Sequence, residues 1–191
     1  MRRNGITLRE LLVVVVVLGC LGWMLRPMGH GRYNRDRADC QSNLKQIALA
    51  VKQYMVDSGD QFPSLATVSG WRGAISPYIK DAAVFHCPSE GDDRTSTYSD
   101  YWFNARFSEA KEESLEYPAN TILLFDGYAS GDPRASLTQL PQSWRDDEKS
   151  PAWRHLDGAN YAFADGHVKW LKISKVMTKS SEGNHYTFAL K

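Results

Sequence analysis

MRRNGITLRELLVVVVVLGCLGWMLR, residues 1–26, sets the plan of this chain. Arg2 and Arg3 precede Gly5, a short Ile6-Thr7-Leu8 patch and Glu10, and an apolar run follows from Leu11 to Leu25. A secretory signal carries its small-residue cleavage site after the apolar centre. In this chain the small residue, Gly5, comes before it, so cleavage there would leave the apolar segment at the new amino terminus. Ile6 to Leu25 is 20 residues, about 30 Å of helix, the thickness of a hydrocarbon core. The expectation is one membrane-spanning helix over 6–25, with Arg2 and Arg3 holding the amino terminus in the cytoplasm and the remainder on the other side. A carboxylate such as Glu10 at the edge of an apolar helix is costly in a bilayer unless paired. Cleavage would create a positive amine at Ile6 able to neutralise Glu10 of a neighbouring subunit. Pairing with Arg9 or lipid headgroups is the alternative.

Gly5-Ile6-Thr7-Leu8-Arg9-Glu10 resembles the amino-terminal signal of type IV pilins and pseudopilins: glycine, an apolar residue, Thr-Leu, a variable residue, glutamate. Ile6 stands where that family most often has Phe, and Arg9 where it is usually uncharged. The resemblance implies cleavage by a prepilin peptidase between Gly5 and Ile6, methylation of the Ile6 amine, and a part for Glu10 in assembly. It further implies partners among other pilin or pseudopilin subunits and the inner-membrane assembly machinery of a type IV pilus or type II secretion system. It places the chain in the cytoplasmic membrane, with its carboxy-terminal domain periplasmic or otherwise extracytoplasmic.

About 160 residues follow the apolar run, enough for one compact domain. The formal net charge of the chain is +1, and loss of Arg2 and Arg3 lowers it by two. With no basic face or tail, nucleic acid is not an expected partner. Of the three cysteines, Cys20 lies in the apolar run and reads as a small hydrophobe. Cys40 and Cys87 lie in the exported part, where a pair most often forms a disulfide, two unpaired thiols being the alternative. That bond would close a long loop and contribute about 3–4 kcal/mol in the chain-entropy account.

Pro27, Gly29 and Gly31 interrupt the helical pattern, predicting a kink or linker over 26–35. From about Asp36 to Asp57, Cys40, Leu44, Ile47, Ala48, Val51, Tyr54 and Met55 recur at three- and four-residue spacing, one apolar stripe that Gly59 ends with a left-handed cap. Gly70–Ile79 reads as a short helix. Strands are expected over 98–107, over 121–125 ending at Asp126-Gly127, and over 160–171, where Asp165-Gly166 between alternating runs reads as a two-residue hairpin. In that register Phe163 faces Val168 and Tyr161 faces Trp170, with one apolar and one open face. Residues 128–151 read as a long loop, and 186–190 as a final strand. The expected fold is α+β, a long amino-terminal helix packed on a small antiparallel sheet. The domain plan is a leader at 1–5, the membrane helix at 6–25, the linker at 26–35 and the exported domain at 36–191.

His155 is followed after nine residues by Asp165-Gly166. Together with Ser42-Asn43-Leu44-Lys45-Gln46 after Cys40, the Cys87-Pro88 pair and Asp126-Gly127, this resembles a group of prepilin-like proteins with an H-X9-DG signature, the DUF1559-like domain. The resemblance implies a pseudopilin-like fold and leaves the biological role open. His155, Asp157, Asp165, His167 and Asp126 supply metal-ligand types, but no spacing marks a closed transition-metal site. The likeness to secretion pseudopilins raises calcium instead, with Asp126 and Asp157 as candidates beside Asp132, Asp146 and Asp147, although no ordered calcium-loop spacing is visible. No cofactor is otherwise expected. No nucleotide-binding glycine loop, nucleophile elbow or zinc-protease helix is present, so enzymatic activity is not expected. The rival to an assembling subunit is a membrane-anchored domain that binds a glycan or protein through Trp71, Trp102, Trp144 and Trp153.

Overall fold

A computed structural model describes residues 7–24, 29–90, 98–177 and 186–190. The chain divides into two units, 1–32 and 33–191. In the first, helix α1 runs Leu8–Met24 over 17 residues, about 26 Å. Its start is a capping box. Glu10 Oε2 accepts from both the backbone N–H and the hydroxyl of Thr7, each at 2.8 Å, and Leu11 N–H reaches Thr7 O at 3.1 Å. Leu8 and the apolar side chains from Leu11 to Leu18 are all exposed. Among the described residues no helix is long and apolar enough to cross a membrane; of the expected span over 6–25, Leu8–Met24 is helical, and residues 6 and 25 lie outside the described residues.

Helix α2 is Gly29–Asp57. Residues 29–35, expected as linker, are helical, and 25–28 lie outside the described residues. Adding a residue to an existing helix costs far less than starting one, which offsets the two glycines at its beginning. The predicted stripe is the buried one: Cys40, Leu44, Ile47, Ala48, Val51 and Met55 are all at most 2% exposed. The helix ends in a Schellman turn, with Asp60 N–H on Met55 O at 2.9 Å and Gly59 at φ +65°.

Helix α3 (Gly70–Ile75) buries Trp71 and Ile75, then tightens to a 3₁₀ turn over Ser76–Tyr78 where Pro77 removes a donor. Strands β1 (Ser99–Asn104), β2 (Ile122–Ser130) and β3 (Ser136–Leu137), the short helix α4 (Gln142–Asp146), and strands β4 (Ala159–Phe163) and β5 (Val168–Leu171) follow. The sheet order is β3-β1-β2-β4-β5, antiparallel except for a two-residue parallel edge between β1 and β3. Strands β6 (Val176–Met177) and β7 (Tyr186–Thr187) pair in parallel as a separate ribbon, and the tail reaches the main sheet only by a single parallel bridge, among the described residues, from Thr187 to Thr121 at the start of β2.

Three sequence expectations need correction. Strand β2 does not stop at Asp126-Gly127 but passes through them to Ser130. Glycine is required there because a Cβ on Gly127 would lie 2.1 Å from Trp102 Cδ1. The hairpin register is shifted by one residue: Ala162 faces Val168, Tyr161 faces Lys169 and Asn160 faces Trp170. Phe163 N–H bonds His167 O and Gly166 N–H bonds Phe163 O, closing a three-residue loop in which Gly166, at φ +89°, alone takes positive φ. Finally, both faces of the sheet are covered. Tyr101, Phe103, Leu124 and Ala162 pack with the α2 stripe, Trp71 and Phe85. Phe125, Tyr161, Phe163 and Leu171 pack with Leu140, Trp144, Ile173 and Phe188. The segment read as a long polar loop supplies Leu140 and Trp144 to this second layer.

Candidate functional site

Alternation along β1, β2 and β4 turns Tyr101, Asp126 and Asn160 toward the α2 side of the sheet. Cys40 on α2 and Cys87 on the segment before Pro88 meet in a disulfide there, Cα atoms 5.3 Å apart and 47 residues separated in sequence. His155, on the turn into β4, closes the group. Its Nε2 lies 3.5 Å from Cys87 Sγ and 3.5 Å from Asp126 Oδ2. All four residues are buried.

The turn that places His155 is sharply built. Leu156 and Asp157 both have positive φ, His155 N–H bonds Gly158 O at 2.8 Å, and Trp170 Nε1 donates to His155 O. Gly158 is required because a Cβ there would meet Leu171 O at 2.6 Å and the Trp170 ring at 2.8 Å. The nine-residue spacing of the motif therefore measures one strand. His155 anchors the entry to β4 and Asp165-Gly166 turns the chain at its exit, where Lys45 Nζ from α2 donates to Gly166 O at 2.6 Å. Asn43, two residues before Lys45, donates to His86 O at 2.9 Å and toward Tyr101 Oη at 3.5 Å. The Asn43-Leu44-Lys45, Cys87-Pro88, Asp126-Gly127 and H-X9-DG motifs, scattered in sequence, thus converge on one sheet–helix seam.

Burial dominates the electrostatics. It pushes the Asp126 carboxyl up to about 7, against the pull of the Arg154 guanidinium and the Asn160 N–H, which donates to Oδ2 at 2.7 Å. Burial, then Arg154 and Arg37, lowers His155 to about 3, so the imidazole is neutral throughout the ordinary pH range. Burial, with Asp126 adding to it, holds the Tyr101 phenol well above its usual range. Arg154 pairs with Glu90 and donates to Gly127 O at 2.7 Å. Asp100 accepts the Cys87 N–H at 2.8 Å. Asp126 Oδ1 and both side-chain amide atoms of Asn160 are buried with no hydrogen-bond partner among the described residues. A surface cleft of about 330 Å³, lined by Asp39, Ser42, Asn43, His86 and Cys87, runs beside the disulfide. The arrangement is a neutral imidazole between a sulfur pair and a carboxyl that exchanges its proton near neutrality.

Other sequence candidates lie elsewhere. Gly5 and Ile6 are outside the described residues, and Glu10 caps α1. Asp157 is exposed and paired with Lys172, so it does not join Asp126. Asp132, Asp146 and Asp147 are engaged locally with Arg134, Gln142 and the Lys149 N–H. His167 stacks on Phe163 and contacts Asp165 at 2.6 Å, away from the seam. Trp71 and Trp144 are buried, and half-buried Trp102 and Trp153 spend their indole N–H groups on the carbonyls of Tyr128 and Trp144. These tryptophans pack the core rather than forming an exposed aromatic surface. The reading of the sequence missed Arg154, Asn160 and Asp100. The available signal was a polar Asn160 at the head of the otherwise apolar run to Ala164.

No curated protein and no solved structure matches the chain. Residues 35–86, from α2 through the segment that reaches His86, match the model of a family described as a protein of unknown function, DUF1559.

Proposed function

We propose that the chain is a pseudopilin-like subunit, trimmed by a prepilin peptidase after Gly5, held in the cytoplasmic membrane through its amino-terminal apolar helix, and assembled into or alongside a pilus or pseudopilus filament. The observation that supports this most directly is the pairing of the Gly5–Glu10 motif with a helix whose apolar side chains, Leu8 and Leu11 to Leu18, are exposed among the described residues. Apolar side chains on every face of a helix call for lipid or for other helices as surroundings. In a filament those residues would exchange lipid contacts for contacts with neighbouring subunits. The deciding experiment is the mass of the amino-terminal peptide from native membranes. A peptide beginning at methylated Ile6 supports the proposal, and one still beginning at Met1 leaves a plain anchor and refutes it.

A further inference from the structure

We infer that Cys40, Cys87 and His155, with Asp126 as fourth donor, form a redox-gated site for a divalent cation of the zinc class, closed while the two sulfurs are joined and opened when they are reduced. The ligand atoms of Cys40, Cys87 and His155 all lie within 4.8 Å of one another, and all three residues are buried. They come from α2, from the segment at Pro88 and from the turn before β4, so a bound ion would join the elements the disulfide joins. His155 offers one nitrogen, Nε2, to both the sulfur of Cys87 and the carboxylate of Asp126.

Two thiolates, an imidazole and a carboxylate are a donor set that favours tetrahedral zinc over calcium or magnesium. A neutral imidazole is the form that ligates, and burial keeps His155 neutral. Among the described residues Asp126 Oδ1 is buried with no hydrogen-bond partner while the disulfide is closed, and a cation would supply one. A surface cleft is lined by Cys87 and Asn43, on the edge of this group. The opening step needs a dithiol reductant. Its two sulfurs become a disulfide, the Cys40–Cys87 bond takes up two electrons and two protons to give two thiols, and the cation then displaces both thiol protons together with any proton held on Asp126.

The test uses the full chain in detergent micelles without oxygen, reduced with a trialkylphosphine, and Co²⁺ as the probe. The reduced chain should take up one equivalent with the strong visible bands of a tetrahedral ion and thiolate-to-cobalt charge transfer, both abolished by Zn²⁺. The disulfide form should show neither. His155→Ala should weaken uptake by at least about tenfold, the scale on which metal-site partners act. A reduced chain that keeps its circular dichroism but lacks these bands would overturn the inference. So would an octahedral spectrum, equal uptake by the oxidised chain, or unchanged uptake by His155→Ala. If reduction unfolds the chain, failure of Zn²⁺ to restore its circular dichroism would overturn it too, because a built site couples binding to folding.

Discussion

Lys45 on α2 donates to the carbonyl of Gly166, 121 residues later, at 2.6 Å. A helix residue inside one motif thus holds the turn that ends another. A hydrogen bond from a charged donor contributes up to about 1.5–3 kcal/mol when shielded. With Lys45 on the exposed side of α2, Lys45→Met should cost about 1 kcal/mol, read as a lower denaturant midpoint with an unchanged m-value.

The two glycines of the Asp-Gly pairs are required for different reasons. Gly127→Ala would drive a Cβ to 2.1 Å from the Trp102 ring and should cost about 1–3 kcal/mol or more, the range for overpacking. Its signature is an altered near-ultraviolet circular dichroism signal as Trp102 leaves Trp144, now 5.4 Å away between ring centroids. Gly166 has open space around it but φ +89°, so Gly166→Ala should cost about 1–2 kcal/mol for the left-handed backbone. Gly166→Asn should cost less, since asparagine tolerates that region. Equal losses in the two Gly166 variants would contradict the backbone argument.

In the disulfide-bonded chain Asp126 and His155 titrate in opposite senses. Folded Asp126 keeps its proton up to about 7, whereas an unfolded aspartate releases it near ~4. The stability it contributes is full below that unfolded value and is lost as pH rises through the folded one. Folded His155 binds a proton only near about 3, against ~6.5 unfolded. Its contribution is present above the unfolded value and is lost as pH falls through the folded one. Between ~4 and ~6.5 the folded state holds one proton more at Asp126 and one fewer at His155, so the two slopes cancel. Arg154 acts on both groups, Asp100 and Glu90 act on Asp126, and Arg37 acts on His155. Asp126→Asn should therefore make stability rise with pH across that window, and His155→Gln should make it fall. Urea midpoints at four pH values distinguish them, and slopes of the same sign in both variants would contradict this assignment.

Glu10 has two separable duties. Its carboxylate caps α1 through Thr7, and the proposed assembly uses its charge. Glutamine preserves a capping box but carries no charge. Glu10→Ala and Glu10→Gln should both leave cleavage after Gly5 largely intact and lower filament yield alike. Normal yield from Glu10→Gln would assign the residue to capping alone.

The Cys40–Cys87 bond closes a separation of 47 residues, for which chain entropy gives about 4 kcal/mol. Cys40→Ser, Cys87→Ser and the double variant should each lose roughly that amount. A double variant no worse than either single one is the result that attributes the loss to the cross-link.

Much of the fold was legible because its signal is local. The α2 stripe from Cys40 to Met55, the left-handed Gly59 and the Asp165-Gly166 turn follow from backbone geometry and spacing within a few residues. The hairpin register was not legible, because a two-residue loop and a three-residue loop with Gly166 alone at positive φ share the same Asp-Gly signature. The covered second face was hidden for a different reason. Leu140 and Trp144 are single apolar residues in a polar stretch, and only the folded chain brings them beside Phe125.

By itself the sequence determined an apolar amino-terminal helix behind a Gly5–Glu10 motif, an amphipathic helix, short strands and two cysteines able to pair. Composition and period decide those features, and both are read along the chain. The tertiary structure decided that His155 stands between Cys87 and Asp126, that Asp126-Gly127 lie within a strand, and that four separate motifs share one seam. Those relationships join residues tens to more than a hundred positions apart. They arise from strand pairing and from burying both faces of the sheet, which no local pattern encodes.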